Sequence, residues 1–310
     1  MRIFRDHRHI PADARGASAA VGNFDGVHLG HQHVLDRARR DGVPLAVVTF
    51  EPHPREVFAP DAPPFRLTSP EARANRLAKL GVDLLFELPF DRIMPLTAEA
   101  FMADVLAGGL GLSHVVTGAD FRFGKGRAGD VATLRDGGAR LGFDVSTADL
   151  LGGSEPVSST AIRTALTEGR PGDARAMLGH WHRIEGPVLH GEKRGRDLGY
   201  PTANQSVDGL HLPRLGVYAV FVDVLSGPHA GTYHGVASLG VRPMFGENTP
   251  NLETFLFDFT GDLYGTPIST ALVEFLRPEM TFDGLPGLIA QMDDDSARAR
   301  AILRGEVAHG

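Results

Sequence analysis

The stretch Ala17-Ser18-Ala19-Ala20-Val21-Gly22-Asn23-Phe24-Asp25-Gly26-Val27-His28-Leu29-Gly30-His31 passes from an apolar run through a glycine-rich turn into a helical pattern. Strand, tight turn and helix in that order make the first half of a βαβ unit. The helix mouth presents unpaired N–H groups and the positive end of the peptide dipoles, both of which favour an anion. Glycine lets a phosphate approach the main chain without a clashing Cβ. His28 and His31 stand three apart, a spacing that faces both towards one point. Two imidazoles aimed at a phosphate-sized gap suit the stabilisation of negative charge in phosphoryl or nucleotidyl transfer. The competing reading is a zinc pair. It finds no cysteine partner, and the local acid, Asp25, falls in the turn rather than on the histidine face.

Working outward, apolar runs at 45–50, 83–88, 114–117 and 143–147 alternate with helical patterns. One helix starts at Ser69, with Pro70 in its first turn, and stops at Gly81; another runs from Thr97 to about Gly108. The alternation predicts a doubly wound parallel sheet, Rossmann-like, whose ligands sit beyond the carboxyl ends of the strands. Four polar or glycine-rich loops then fall on one edge: 22–31, Glu51-Pro52-His53-Pro54, Gly118-Ala119-Asp120-Phe121-Arg122-Phe123-Gly124, and Ser158-Ser159-Thr160. Their convergence reads as one active site. Asp120 suits a base edge, a ribose or Mg²⁺, or is a turn residue. His53, between two prolines, suits either a phosphate contact or a stiff structural loop.

After about residue 183 the periodicity changes to two. Runs at 216–225, 233–239, 253–259 and 270–277, followed by a helical pattern at 285–303, predict a small antiparallel β-barrel with a C-terminal helix. The fold class is therefore α/β plus β, with domains at 1–182 and 183–310 and a linker near 179–183. At 310 residues, 42% hydrophobic and 22% charged, the chain is long enough for two buried cores. It has no cysteine, no apolar leader and no run of eighteen apolar residues, so a cytoplasmic location away from membranes is expected. A net charge of −7 argues against a general nucleic-acid binder, whereas the local cluster Arg122, Lys125 and Arg127 suits a small polyanion such as a nucleotide.

A second constellation lies in Gly186-Pro187-Val188-Leu189-His190-Gly191-Glu192-Lys193-Arg194-Gly195-Arg196-Asp197-Leu198-Gly199-Tyr200-Pro201-Thr202-Ala203-Asn204. Glycines alternating with basic residues can wrap phosphates, and Thr202 and Asn204 offer two neutral oxygens to a hard cation. Pro-Thr-Ala-Asn on its own is a capped turn. Further on, strand alternation places Glu253 on the face of Phe255, Phe257 and Phe259, a carboxylate at the end of an apolar row.

Through Gly22-Asn23-Phe24-Asp25-Gly26-Val27-His28-Leu29-Gly30-His31-Gln32, the 118–124 loop and Ser158-Ser159-Thr160-Ala161-Ile162-Arg163, the chain resembles the prokaryotic bifunctional riboflavin kinases and FAD synthetases. The resemblance implies that the first half joins FMN to the AMP portion of ATP and releases pyrophosphate. It implies that Gly22, Asn23, Phe24, Asp25, Gly30 and Asp120 frame the nucleotide and that His28 and His31 contact its phosphates. Ser158, Ser159, Thr160 and Arg163 would grip the triphosphate from the other side. FMN brings an ionised phosphate oxygen as nucleophile, so this chemistry needs charge stabilisation rather than a general base.

The second half resembles the riboflavin kinase module of the same family through residues 186–204, 235–240, Arg242-Pro243 and Glu253. There the resemblance implies ATP binding by Gly191, Lys193, Gly195, Arg196, Gly199 and Pro201, and Mg²⁺ on Thr202 and Asn204. Glu253 would be the base for the riboflavin 5′-hydroxyl. Riboflavin, FMN, FAD and ATP are the implied partners, with Mg²⁺ required by both steps. Met244 stands where members usually carry threonine, so that hydroxyl contact is missing. Two rivals are a nucleotidyltransferase for another phosphorylated precursor, with the barrel only binding substrate, and a flavin- or nucleotide-binding regulator. The joint presence of the histidine pair, the Ser-Ser-Thr loop and the Thr202, Asn204 and Glu253 trio speaks against both.

Overall fold

The computed structural model describes residues 1–149, 157–190, 199–244, 247–306 and 308, with 242–244 and 247–249 described as backbone only. The chain divides into two compact units, one of Met1–Ala62 and Arg73–Val157, the other of Pro63–Ala72 and Ser158–Gly310.

The first unit is built on six parallel strands: β1 (Arg2–Phe4), β2 (Ser18–Val21), β3 (Leu45–Glu51), β4 (Leu84–Pro89), β5 (His114–Gly118) and β6 (Asp144–Ala148). Their order is β1-β4-β3-β2-β5-β6, and every neighbouring pair is parallel. The winding reverses between β2 and β5, which opens a crevice at the carboxyl ends of those two strands. Both sheet faces are buried. Ala19, Val48, Phe86 and Val115 join Met102 in one core, while Ala20, Val47, Leu85 and Val116 join Leu35 and Leu77 in the other. Burial on both faces is why these strands read as continuous apolar runs instead of alternating ones.

The helix expected from Thr97 begins there, with Thr97 Oγ1 accepting from the Ala100 N–H at 3.1 Å. After Ala98–Ala100 it widens into a π-helix, Phe101–Gly109, so that Leu110 N donates to Val105 O at 2.8 Å. Phe101, Met102, Val105 and Leu106 on it are all buried in one core.

The second unit carries β7 (Arg183–Pro187), β8 (Thr202–Ser206), β9 (Gly216–Val224), β10 (Gly231–Met244), β11 (Glu247–Leu256) and β12 (Pro267–Arg277). The order is β7-β12-β9-β10-β11-β8, with every pairing antiparallel. Closure between the edge strands relies on β8. Leu189 N donates to Asn204 O at 2.8 Å. The fully buried Gln205 donates to the carbonyls of Ile184 on β7 (3.2 Å) and Ile268 on β12 (3.1 Å), and accepts from Thr270 Oγ1 at 2.6 Å.

Every residue of β9 is buried. Tyr218, Val220, Val222 and Val224 point into the barrel core, while Val217, Ala219 and Phe221 lie in a second core with Ala299 and Leu303 of the C-terminal helix Leu285–Leu303. The helices Ser159–Thr167 and Pro171–Leu178 pack around Leu67, Ile162, Leu166 and Ala174.

Two local expectations are corrected. Pro-Thr-Ala-Asn leads not into a turn but into β8, because Thr202 to Ser206 pairs in register with Phe255 to Asn251. Phe259 does not share the face of Phe255 and Phe257. The chain turns at Asp258, in the left-handed region at φ 57°, and sends the Phe259 ring against Tyr233 and His229 (5.2 Å each).

Candidate active sites

In the first unit the turn after β2 is held from several sides. Asn23 O accepts from Thr49 Oγ1 (3.1 Å) and from Arg73 Nη1 (3.4 Å), and Val27 O accepts from Gln32 Nε2 (2.9 Å). Phe24 (φ 54°) and Val27 (φ 45°) are both left-handed and both buried. A β-branched residue in that region is strained, and such strain persists where the surroundings over-determine the backbone. Arg73 itself is buried and bridges Glu51 (3.0 Å) and Glu87 (2.8 Å), tying the turn to the ends of β3 and β4.

His28 is the N-cap of helix Leu29–Ala38, its Nδ1 accepting from the His31 N–H at 3.3 Å. That bond fixes the neutral tautomer with the proton on Nε2. The two imidazoles stack, with centroids 3.6 Å apart and planes 16° apart, and His31 also lies 5.0 Å from the Phe24 ring. Among the described residues, His31 Nδ1 is buried without a hydrogen-bond partner. Burial, with the neighbouring His28 as second cause, pushes the His31 proton affinity well below that of an ordinary histidine. Gly30 serves this stack directly, because a Cβ there would come within 3.1 Å of the His28 ring.

Asp120 is exposed, its Oδ1 over Gly118 at the end of β5. His53 is a structural cap. Its Nδ1 accepts from the Arg55 N–H (3.1 Å), and its own N–H donates to Glu56 Oε2 (3.1 Å) at the start of helix Pro54–Phe58.

Sequence reasoning missed an aromatic row on the carboxyl edge of the same sheet. Phe58 is 68% exposed and meets Phe90 edge-on at 5.7 Å; Phe90 meets Phe50 at 5.9 Å. Phe121 stacks on Phe123 at 5.6 Å with planes 16° apart. All five rings close or follow strands β3, β4 and β5, which was the available signal.

Ser158, Ser159, Thr160 and Arg163 belong to the second unit. Ser158 caps helix Ser159–Thr167 by accepting from the Ala161 N–H at 3.2 Å. Arg163 Nε donates to Phe65 O at 2.6 Å, with the guanidinium 5.4 Å above the Phe65 ring.

In the barrel, β8 and β11 set Glu253 directly opposite Asn204, and Phe255 opposite Thr202. Alternate residues share a face, so Thr202, Asn204, Asn251 and Glu253 stand together. Asn204 is 7% exposed and Asn251 5%. The Asn251 Nδ2 donates to Asn204 Oδ1 at 3.2 Å and to Glu253 Oε1 at 3.3 Å. Gly199 occupies the left-handed region at φ 82°, a conformation suited to glycine. Tyr200 follows, its ring 4.8 Å from Phe255 and its hydroxyl donating to Asp293 of the C-terminal helix. Burial and that bond together raise the pKa of the Tyr200 phenol. Gly191, Lys193, Gly195 and Arg196 lie outside the described residues, as does the side chain of Met244.

Among the described residues no three His, Cys, Asp or Glu side chains gather in a metal-holding group. The neutral oxygens of Thr202 and Asn204 are the donors that the sequence pattern would offer to a cation in the barrel. These fit Mg²⁺, which takes few protein ligands and completes its shell with water and phosphate.

The chain matches two family models, FAD synthetase over residues 10–161 and riboflavin kinase over residues 178–303. Curated proteins described as bifunctional riboflavin kinase/FMN adenylyltransferase are similar along nearly their whole length. The one from Pseudomonas fluorescens is 40% identical over 97% of this chain and 98% of its own. That from Escherichia coli K12 is 39% identical over 97% of each. A solved structure described as a macrolide-efflux protein from Streptococcus pneumoniae superposes with a TM-score of 0.80, 29% identity and coverage of 96% of this chain and 98% of that one. Among the described residues of the present chain no helix is long and apolar enough to cross a membrane.

Proposed function

This chain belongs to the family of bifunctional riboflavin kinases/FMN adenylyltransferases, and from that membership we infer that it phosphorylates riboflavin to FMN and then adenylylates FMN to FAD. The carrying observation is that both family models match one chain, each over a stretch that holds its own constellation. Residues 10–161 contain the stacked His28 and His31, and residues 178–303 contain Thr202, Asn204 and Glu253.

In the kinase step, Glu253 accepts the proton of the riboflavin 5′-hydroxyl as that oxygen bonds to the γ-phosphorus of ATP and ADP departs. Thr202 and Asn204 would hold Mg²⁺, which neutralises phosphate charge. Gly191, Lys193, Gly195, Arg196, Gly199 and Pro201 form the ATP-binding loop of this reading.

In the adenylyl step, a phosphate oxygen of FMN bonds to the α-phosphorus of ATP and pyrophosphate leaves. His28, through its Nε2–H, and His31 stabilise charge on the phosphate oxygens. Gly22, Asn23, Phe24, Asp25 and Gly30 form the frame, Asp120 contacts the nucleotide, and Ser158, Ser159, Thr160 and Arg163 bind the triphosphate. The exposed Phe58 and stacked Phe121 offer flat apolar surface of the kind an isoalloxazine ring needs. This reading assigns the adenylyltransferase part to 1–182 and the kinase part to 183–310, in the cytoplasm, although the helices Ser159–Thr167 and Pro171–Leu178 are compact with the barrel unit.

The test is product analysis of purified protein given riboflavin, ATP and Mg²⁺. His28→Ala is expected to remove FAD formation and spare FMN formation; Glu253→Ala is expected to do the reverse. Loss of both products from either folded variant would overturn the division of labour.

A further inference from the structure

The structure assigns to Asn251 a positioning role in riboflavin phosphorylation: its buried side-chain amide clamps Glu253 and Asn204 into one fixed arrangement. The inference rests on the reading of Glu253 as base and Asn204 as cation ligand.

Asn251 precedes Glu253 by two residues on β11 and so shares its face. Across the ladder it lies opposite Ser206 and diagonal to Asn204, within reach of a side-chain amide. An amide nitrogen carries two hydrogens. Here both have acceptors, Asn204 Oδ1 at 3.2 Å and Glu253 Oε1 at 3.3 Å. Turning the amide over would set its oxygen against two other oxygens, so the partners themselves dictate its orientation. Glutamate keeps three rotatable bonds and asparagine two. Tying each to the same buried amide removes the freedom of both at once.

The consequence is geometric. A group that takes a proton from an attacking hydroxyl must stand in a fixed relation to the group that holds the phosphates, and a displacement of about 1 Å can cost about 100-fold in rate. Asn251 is neutral and donates only through its nitrogen, so it fixes the carboxylate without competing for the substrate proton. An aspartate at the same position would keep the volume but lose both donations, turning two attractions into two repulsions.

The test uses the full chain with Asn251→Ala, the isosteric Asn251→Asp and, as a check on the parent reading, Glu253→Gln. The kcat and KM for riboflavin phosphorylation are measured beside melting temperature, FMN adenylylation and calorimetric binding of ADP with Mg²⁺. Both Asn251 variants are expected to lose about 10- to 100-fold in kcat while the KM for riboflavin moves less than about threefold. Adenylylation is expected to be retained. ADP binding is expected to weaken in Asn251→Ala, where the Asn204 amide is released. Normal kcat in Asn251→Asp beside an inactive Glu253→Gln overturns the inference alone. So does a loss in Asn251→Asp that merely parallels a fall in melting temperature and in adenylylation. Normal phosphorylation by Glu253→Gln overturns the base assignment and this inference together.

Discussion

Desolvation of the His31 ring, with the His28 ring stacked on it as second cause, lowers its proton affinity and favours the neutral imidazole in the free protein. A polyphosphate arriving beside it reverses the electrostatics, since a nearby anion favours the imidazolium. Binding of ATP near neutral pH is therefore expected to take up protons. Calorimetry in buffers of different ionisation enthalpy checks this, and the uptake is expected to diminish in His31→Gln. Gly30→Ala is expected to cut FAD formation by about tenfold or more while FMN formation continues, because the new methyl group meets the His28 ring.

His182 carries a pH dependence of stability. Burial, with the neighbouring His180 and His211, brings its pKa from 6.5 down to about 3. The unfolded chain thus binds the extra proton between those values and the native chain does not. Stability is complete above about pH 6.5 and falls as pH drops towards 3, by up to about 1.4 kcal/mol per pH unit from this group. Urea titrations across that window check the slope, which is expected to flatten in His182→Gln. At this scale the histidine pair stands out in the sequence by its spacing at a helix mouth, and Glu253 by strand alternation. The second reason for glycine at position 30, room for the His28 ring, is not legible there, since a phosphate and an imidazole ask for the same missing Cβ.

Among the elements, β8 matters most for the barrel. Replacing Gln205 by Met keeps much of its bulk but removes its bonds to Ile184 O, Ile268 O and Thr270 Oγ1. The expected loss is about 2–4 kcal/mol in denaturant unfolding, with a weaker apparent affinity for ATP in the kinase step. This strand was illegible in the sequence for the reason that makes it important. Its residues Thr-Ala-Asn-Gln-Ser are polar because they close a barrel and present a site, so they lack the apolar period of an ordinary strand. The strands β2 to β5 were legible because their largely apolar residues are buried on both faces, whereas β6, Asp-Val-Ser-Thr-Ala, is only partly buried. The three-residue β1 is too short to show a period. In the sequence the π-helix Phe101–Gly109 looks like any helix, since the shift in its hydrogen bonding leaves little trace in the order of apolar residues. The register of Asn251 was available by counting two back from Glu253, but nothing in an isolated asparagine distinguishes a clamp from a turn.

For the whole molecule, the helices Ser159–Thr167 and Pro171–Leu178 count with the barrel. Arg214 N donates to Leu166 O at 2.9 Å, and Thr167 Oγ1 meets His211 Nε2 at 3.0 Å. A fragment of residues 158–310 is therefore expected to melt several degrees above one of residues 183–310, as followed by circular dichroism. Both are expected to melt below the full chain, since each lacks Leu67 and the bond from His211 N to Arg66 O (2.8 Å).

The origin of Leu67 sets a timetable. On the ribosome this leucine emerges long before Ile162 and Leu178, and at about 5–20 residues per second the wait lasts roughly 5–20 s. A gene break anywhere between the two stretches would strand a piece of the barrel's own support on the wrong polypeptide. The barrel unit thus depends on a ten-residue loan, Pro63–Ala72, from a stretch of chain that precedes Arg73–Val157 of the other unit.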